Sequence, residues 1–226
     1  MNHIIIFLIM TALYGILLGF FLNAVSKENY KETYIPWKSI QSTGFLAAFF
    51  VSSIIYGDPG NFCVMLPAFI CCFTGDVFLA FYNKYKKRRI FAFGLFAFLA
   101  GHIFFIRWFA QIQPIDIADF IVPLLGVGIT YYLTTGKIFH TGRLRPFVII
   151  YAFFVTFLAE KSVRIALSFH SAAHLLAGIG GVLFLMSDIS ILFLYFWKKR
   201  NKKIHLFNLY TYYAGIYLLA SCILFA

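Results

Sequence analysis

Long apolar runs, separated by short polar connections, cover nearly the whole of the 226-residue sequence. A helix needs about 20 apolar residues to cross a bilayer core, and the runs have that length. They lack the alternation and turn spacing of barrel strands, so helices are the expected spanning form. The pattern predicts transmembrane helices at residues 4–23, 38–56, 62–82, 90–110, 117–135, 147–165, 170–197 and 206–225. We therefore expect an all-α integral membrane bundle of eight transmembrane helices, forming a single transmembrane domain over residues 1–226.

The composition places the chain among membrane proteins. It is 62% hydrophobic and only 12% charged, whereas about a quarter of the residues in a soluble domain are charged. The net charge of +11 does not indicate nucleic-acid binding, because the basic residues lie in short connections between apolar runs. We expect no nucleic-acid partner, and we expect these connections to contact anionic lipid head groups.

Basic residues are concentrated in the connections that follow the first, third, fifth and seventh spans. These connections hold 16 of the 19 lysines and arginines, and the other three are Arg107, Lys161 and Arg164. By the positive-inside rule the four basic connections face the cytoplasm, so both termini are expected on the non-cytoplasmic side. The expected location is a bacterial inner membrane, or an internal membrane in a eukaryotic cell.

Two aspartates interrupt the apolar runs, Asp76 in the third span and Asp188 in the seventh. Both spans run toward the cytoplasm, and the aspartates precede Lys84 and Lys198 by 8 and 10 residues. At 1.5 Å per residue, both lie ~12–15 Å from the cytoplasmic connections and therefore in one layer of the membrane. A charge at this depth costs several kcal/mol, so such residues usually face a polar interior and have a function there. We interpret the two aspartates as a candidate catalytic pair; the simpler alternative is a structural hydrogen bond to a neighbouring helix.

A histidine and several tyrosines fall at or near the predicted aspartate layer. They are His102, Tyr132, Tyr151, Tyr212 and Tyr213. A lone intramembrane histidine is more often a helix–helix contact than a catalyst, but His102 shares the bundle with the aspartates, so both alternatives stay open for it. Glu160 and Arg164 have the spacing of an ion pair within one helix, at the outer end of the sixth span.

Four short segments contain the residues singled out above. They are Thr74–Leu79, Gly94–His102, Gly181–Asp188 and Thr211–Ala214. In this order they resemble the YhhN-like lysoplasmalogenase family of multi-pass membrane proteins, and with eight spans at this length the resemblance covers the whole chain. It implies hydrolysis of the vinyl ether bond of a lysoplasmalogen, which yields a fatty aldehyde and glycerophospho-ethanolamine or glycerophosphocholine.

The chemistry of that reaction fits a pair of carboxylates. Protonation of the vinyl ether β-carbon leaves an oxocarbenium ion, water adds to this ion, and the hemiacetal collapses to an aldehyde and an alcohol. Glycosidases meet an oxocarbenium-like transition state with two carboxylates. We hypothesise that one of Asp76 and Asp188 donates the proton and the other activates water, without a metal or a cofactor. The side chains expected to bind the lipid substrate or to orient water are His102, Tyr132, Tyr151, Tyr212 and Tyr213.

Two other functions remain as alternatives. A small transporter or channel could use the aspartates to carry protons or to bind a cation, although no helix is broken at Gly or Pro beside them in both halves. A zinc-dependent lipid amidase could use His170 and His174, which have the i, i+4 spacing of two zinc ligands on a helix. The head group, the chain length and the oligomeric state are left open.

Overall fold

Eight long helices, joined by short connections, make up the computed structural model of the chain. The structure describes residues 3–27, 30–136, 138–197 and 201–226, without the side chains of residues 30 and 31. The helices are α1 His3–Ser26, α2 Tyr30–Tyr56, α3 Pro59–Tyr85, α4 Arg88–Ile112, α5 Ile121–Thr135, α6 Arg145–Phe169, α7 Ala172–Phe196 and α8 Lys202–Ser221. Short 3-10 turns precede α5 and α6 and follow α8. All eight elements are long and apolar enough to cross a membrane.

The predicted eight-span bundle is confirmed, and the largest difference lies at the start of α2. The sequence pattern begins this span at residue 38, but the helix begins eight residues earlier and contains Pro36. Tyr34, Lys38, Gln41 and Phe45 are all buried, and their spacing is that of one helical face. Burial of this face therefore continues the helix past a proline that costs one backbone hydrogen bond.

The two ends of the bundle differ in charge, as the positive-inside pattern requires. The first and last described segments of the chain lie at one end, where the His3 ring nitrogen Nδ1 is 2.7 Å from the carbonyl oxygen of Leu224. The opposite end carries the basic connections, and we call it the basic end. Residues 137 and 198–200 and the side chain of Lys31 lie outside the described part of the chain. That the basic end faces the cytoplasm stays a prediction.

Helices α7 and α8 cross very closely because each has a glycine at the crossing. A Cβ atom added at Gly180 would lie 2.9 Å from the carbonyl oxygen of Gly215, and one added at Gly215 would lie 2.8 Å from that of Gly180. Small residues at a crossing let membrane helices approach to backbone contact. The crossing matters for the site because α7 carries Asp188 and α8 carries Tyr212.

Helix α5 is attached to the bundle differently from the other helices. In the described part of the chain α5 packs against α6 and against the 3-10 turn that precedes α5, and its backbone does not come close to that of α7. An ion network at the end opposite the basic end holds the segment before α5 to α6. In it the buried Lys161 Nζ lies 2.7 Å from Asp119 Oδ2, and Arg164 binds both Asp116 and Asp119. The hydrogen bonds from Arg164 also hold the pKa of Asp116 below its usual value.

The Glu160–Arg164 ion pair that the sequence predicts is the weaker part of this network. Arg164 Nε lies 3.6 Å from Glu160 Oε1, whereas its NH2 nitrogen lies 2.8 Å from Asp116 Oδ2. The main partners of Arg164 therefore come from the neighbouring segment and not from its own helix.

We expect Gly215→Ala to destabilise the fold. The added methyl group would force the backbones of α7 and α8 apart, and overpacking of this kind typically costs about 1–3 kcal/mol. Gly128→Ala is the matched control, because an added Cβ there meets nothing within 4 Å. Thermal unfolding in detergent should show a lower midpoint for Gly215→Ala and an unchanged or slightly raised midpoint for Gly128→Ala. Equal midpoints for the two variants would contradict the close crossing.

Candidate functional site

Asp76 lies wholly inside the bundle and is surrounded by hydrogen-bond donors. The hydroxyl groups of Ser42 and Tyr212 donate to its Oδ2 atom at 2.6 and 2.8 Å. The ammonium group of Lys38 lies 3.0 Å from Oδ1. Three helices, α2, α3 and α8, therefore meet at this carboxylate. An ionised carboxylate can only accept hydrogen bonds, so these partners suit the ionised form of Asp76.

The neighbouring hydroxyls extend this first cluster along α2 and α8. The Tyr213 hydroxyl lies 3.0 Å from Ser42 Oγ and donates to the carbonyl oxygen of Lys38 at 3.3 Å. Tyr14 of α1 donates to the backbone oxygen of Tyr213 at 3.2 Å. We call Lys38, Ser42, Asp76, Tyr212 and Tyr213 the Asp76 cluster.

Asp188 belongs to a second cluster, on the α4, α6 and α7 side of the bundle. The Tyr151 hydroxyl donates to its Oδ2 atom at 3.1 Å. The Nε2 atom of His102 approaches the same oxygen to 3.0 Å, a close contact that lacks the alignment of a full hydrogen bond. We call His102, Tyr151 and Asp188 the Asp188 cluster.

A backbone contact decides which nitrogen of His102 carries a proton. Nδ1 lies 2.6 Å from the carbonyl oxygen of Phe98, and a carbonyl can only accept, so Nδ1 is the donor. In a neutral imidazole Nε2 is then an acceptor. Nε2 is therefore the ring nitrogen that faces Asp188, 3.0 Å from Oδ2 and without the alignment of a hydrogen bond. The two side chains are close enough to exchange a proton.

An apolar cavity of about 270 Å³ leads to the Asp188 cluster. It lies between α5, α6 and α7, where α5 and α7 do not touch, and we call it the groove. Ile129 of α5 and Ile189 of α7 line it and are also well exposed on the outside of the bundle. The groove is therefore open sideways, toward the surface that lipid would cover.

Asp188 is the one charged residue among the described residues that line the groove. On α7 the lining extends from Leu185 to Phe196, about 17 Å of helix rise. Asp188 lies near the end of this stretch that is farther from the basic end, with Tyr151 beside it on α6. The other lining residues are apolar except Thr130 and Thr156. A hydrocarbon chain in the groove would thus meet one carboxylate.

The structure places the two aspartates in adjacent clusters and not in one shared contact. That the two carboxylates lie in one layer of a membrane stays a prediction. The Tyr212 ring packs edge-on against Phe98 and Phe184, and its centroid lies 5.6 Å from that of Phe98 and 5.3 Å from that of Phe184. These aromatic side chains lie between the clusters. Among the described contacts none joins the two carboxylates, and Asp76 does not line the groove.

The remaining predicted site residues divide between the clusters, with two exceptions. His102 and Tyr151 contact Asp188, while Tyr212 contacts Asp76 directly and Tyr213 contacts it through Ser42. Tyr132 is 77% exposed on α5 and belongs to neither cluster. Its predicted role in the site therefore has no support from its position.

The histidine pair of the zinc hypothesis does not share a helix. His170 ends α6 with a positive φ of 51°, and α7 begins only after Ser171. The spacing that suggested two zinc ligands on one helical face is therefore interrupted by a helix end. Ser171 instead caps α7, since its hydroxyl accepts a hydrogen bond from the backbone N–H of His174 at 3.3 Å.

Sequence reasoning missed Lys38 and Ser42. The sequence pattern, which begins the second span at residue 38, places Lys38 in the basic connection after the first span, but it lies two turns inside α2 and is only 5% exposed. The sequence does contain a signal for both residues: a lysine lies four residues before a serine at the edge of an apolar run, so the two side chains share one face of a helix. A carboxylate buried in a membrane needs a partner at its own depth, and a helix continued through Pro36 supplies one.

These features define an α-helical multi-pass membrane protein with two carboxylates inside the bundle, one of them at the base of a lipid-accessible groove. The chain belongs to the YhhN family, whose profile matches residues 35–223. The matched region contains both clusters and the groove. No curated protein and no solved structure matches the chain.

Proposed function

We propose that the protein is an intramembrane hydrolase that cleaves the vinyl ether bond of a lysoplasmalogen. The products would be a fatty aldehyde and glycerophospho-ethanolamine or glycerophosphocholine. One observation carries the proposal: His102 Nε2 lies 3.0 Å from Asp188 Oδ2, and Asp188 lines an apolar groove that a single hydrocarbon chain can enter from the bilayer. Membership of the YhhN family is consistent with a hydrolase of this kind.

The reaction needs one proton donor that later acts as a base. In the first step the His102–Asp188 pair gives its proton to the β-carbon of the vinyl ether, and an oxocarbenium ion forms at the α-carbon. In the second step a water molecule attacks the α-carbon and returns a proton to the same pair. The hemiacetal then breaks its bond to the glycerol oxygen, which takes the hydroxyl proton, and the aldehyde leaves. Atoms and charge balance with water as the only co-reactant.

The geometry favours Asp188 over Asp76 as the proton donor. Asp188 reaches the groove, and His102 Nε2, 3.0 Å from its Oδ2, is close enough to exchange a proton with it. Asp76 faces three donor groups and does not line the groove. Tyr151 donates to Asp188 and would stabilise the carboxylate that remains after proton transfer. Asp76 would act on the reaction from the neighbouring cluster, through its charge and through Tyr212.

The groove also fits the order of groups along a lysolipid. Arg145 lies at the basic end of α6, six residues before Tyr151, a rise of about 9 Å. This distance is comparable with the length of the glycerol backbone that separates the phosphate from the ether bond. The Arg145 guanidinium is held 4.9 Å above the Tyr131 ring and has no carboxylate within ion-pair distance among the described residues. A phosphate at the mouth of the groove would meet this charge.

The transporter hypothesis has less support from the structure. Transport requires the charged groups to be reached from both sides in turn, and the Asp76 cluster is closed by its own side chains. Proton or cation flux in proteoliposomes, without aldehyde formation from a lysoplasmalogen, would favour transport over hydrolysis.

We expect Asp188→Asn to abolish most aldehyde release from a lysoplasmalogen. The amide cannot act as a general acid, and the loss of such an acid typically lowers turnover by about 100-fold to 10,000-fold. Asp58→Asn is the matched control, because Asp58 caps α3 outside the groove. In D2O the wild-type protein should place one deuterium on carbon 2 of the aldehyde, since this carbon receives the proton.

Two results would reject the proposed reaction. One is near wild-type turnover by purified, folded Asp188→Asn. The other is aldehyde formation from the saturated 1-alkyl analogue, which has no double bond to protonate.

We expect Ala152→Phe to impair the reaction by filling the groove. Ala152 lines the groove on α6, so a phenyl ring there would compete with the lipid chain for space. The Michaelis constant for the lysoplasmalogen should rise severalfold or more, with the thermal midpoint little changed. Ala12→Phe on the exposed face of α1 is the control and should leave the kinetics as they are. Unaltered kinetics for Ala152→Phe would show that the hydrocarbon chain of the lipid binds outside the groove.

We expect Arg145→Gln to weaken substrate binding without slowing the chemical step. Loss of a charge that contacts the phosphate should raise the Michaelis constant about 10-fold, which corresponds to about 1.4 kcal/mol, and leave kcat nearly constant. Arg88→Gln removes an exposed charge from the first residue of α4, also at the basic end, and should have little effect. If the two variants behave alike, Arg145 is not a phosphate contact.

A further inference from the structure

Lys38 has no part in the proton transfer proposed above, yet it is buried against Asp76. Its ammonium group lies 3.0 Å from Asp76 Oδ1, and its side chain is only 6% exposed. Building on the proposed function, we infer that Lys38 is a positioning residue. It keeps Asp76 ionised, and through Asp76 it holds Tyr212 against the aromatic side chains that support His102.

The charge on Asp76 depends on Lys38 because the cluster is closed to bulk solvent. Asp76 and Ser42 are fully buried and Tyr212 is nearly so. A carboxylate in such surroundings is strongly disfavoured unless an opposite charge and hydrogen bonds compensate it. Ser42 and Tyr212 supply the hydrogen bonds, and Lys38 supplies the one cationic group within ion-pair distance of Asp76 among the described residues.

A continuous line of contacts runs from Asp76 to the histidine. Asp76 accepts the hydrogen bond of the Tyr212 hydroxyl, and the Tyr212 ring packs edge-on against Phe184 and Phe98. The Phe184 ring lies 4.8 Å from the His102 ring, between centroids. Phe98 holds His102 a second time, through its backbone oxygen at Nδ1. A shift of Tyr212 would therefore reach the ring that faces Asp188.

This arrangement assigns different tasks to the two aspartates. Asp188 exchanges a proton with the substrate, whereas Asp76 remains an anion that fixes the hydroxyl of Tyr212. Under this assignment a neutral side chain can replace Asp76, provided that it still accepts the hydrogen bonds and that the lysine charge is removed with it. Asparagine retains an acceptor oxygen in the same place, and methionine fills the space of the lysine stem.

The test compares Lys38→Met, Asp76→Asn and the double variant Lys38→Met/Asp76→Asn. Each single change leaves one unpaired buried charge, so we expect a lower thermal midpoint and at least a 10-fold loss of kcat with an unchanged Michaelis constant. The double variant is neutral at this place and should recover the thermal midpoint and at least 10-fold of the lost kcat. Lys27→Met, which removes an exposed lysine at the basic end, is the control.

The histidine provides a readout that does not depend on activity. We expect the 15N chemical shifts of the His102 ring to change in Lys38→Met and to return toward wild type in the double variant. If wild-type protein forms no aldehyde while these shifts behave as expected, the proposed function fails and the positioning role stands.

Three outcomes would overturn the inference. One is a stable double variant that stays as inactive as Asp76→Asn, because Asp76 would then be a catalytic residue. Another is wild-type kcat in Lys38→Met. The last is a His102 ring whose shifts do not respond to Lys38→Met. If Lys38→Met does not fold, the comparison of Asp76→Asn with the double variant decides between the same alternatives.

Discussion

The structure depends on how two carboxylates are accommodated in a part of the bundle that excludes water. A charge has little solvation there, so each aspartate must find its partners on neighbouring helices. Asp76 finds an ammonium group and two hydroxyls, and this contact joins α2, α3 and α8. Asp188 finds an imidazole and a phenol, and this contact joins α4, α6 and α7. Six of the eight helices therefore meet at these two side chains.

The sequence predicted much of this, because membrane constraints act on single segments. The length of each apolar run sets a span, and an aspartate within a run is conspicuous without any knowledge of its neighbours. The partners that a side chain finds on other helices cannot be read from a single segment. Lys38 looked like part of a connection because α2 continues through Pro36, which only the burial of Tyr34 and Gln41 explains. Tyr132 had a suitable depth, but depth does not determine which way a side chain faces.

Helix α5 shows how local attachment can create a site. The ion network around Lys161 and Asp119 holds the end of α5 that is farther from the basic end to α6, and within the described residues the rest of the helix packs on α6. Because α5 leaves α7 uncovered, the groove opens between them toward the lipid surface. None of this follows from hydropathy, since α5 is as apolar as the other spans. The charges at one end join α5 to α6, and the groove lies on the side of α5 that faces α7.

The two clusters differ in which polar groups surround the carboxylate and in whether the groove reaches it. At Asp76 an ammonium group and two hydroxyls face the carboxylate, and the cluster is closed by its own side chains. At Asp188 the Phe98 carbonyl fixes a proton on Nδ1 of His102, which leaves Nε2 facing the carboxylate at 3.0 Å. Because Asp188 lines the apolar groove, a carbon–carbon double bond in the groove would receive a proton from this pair under the proposed function. The fold thus separates a carboxylate enclosed by donor groups from one that a bound lipid chain can meet.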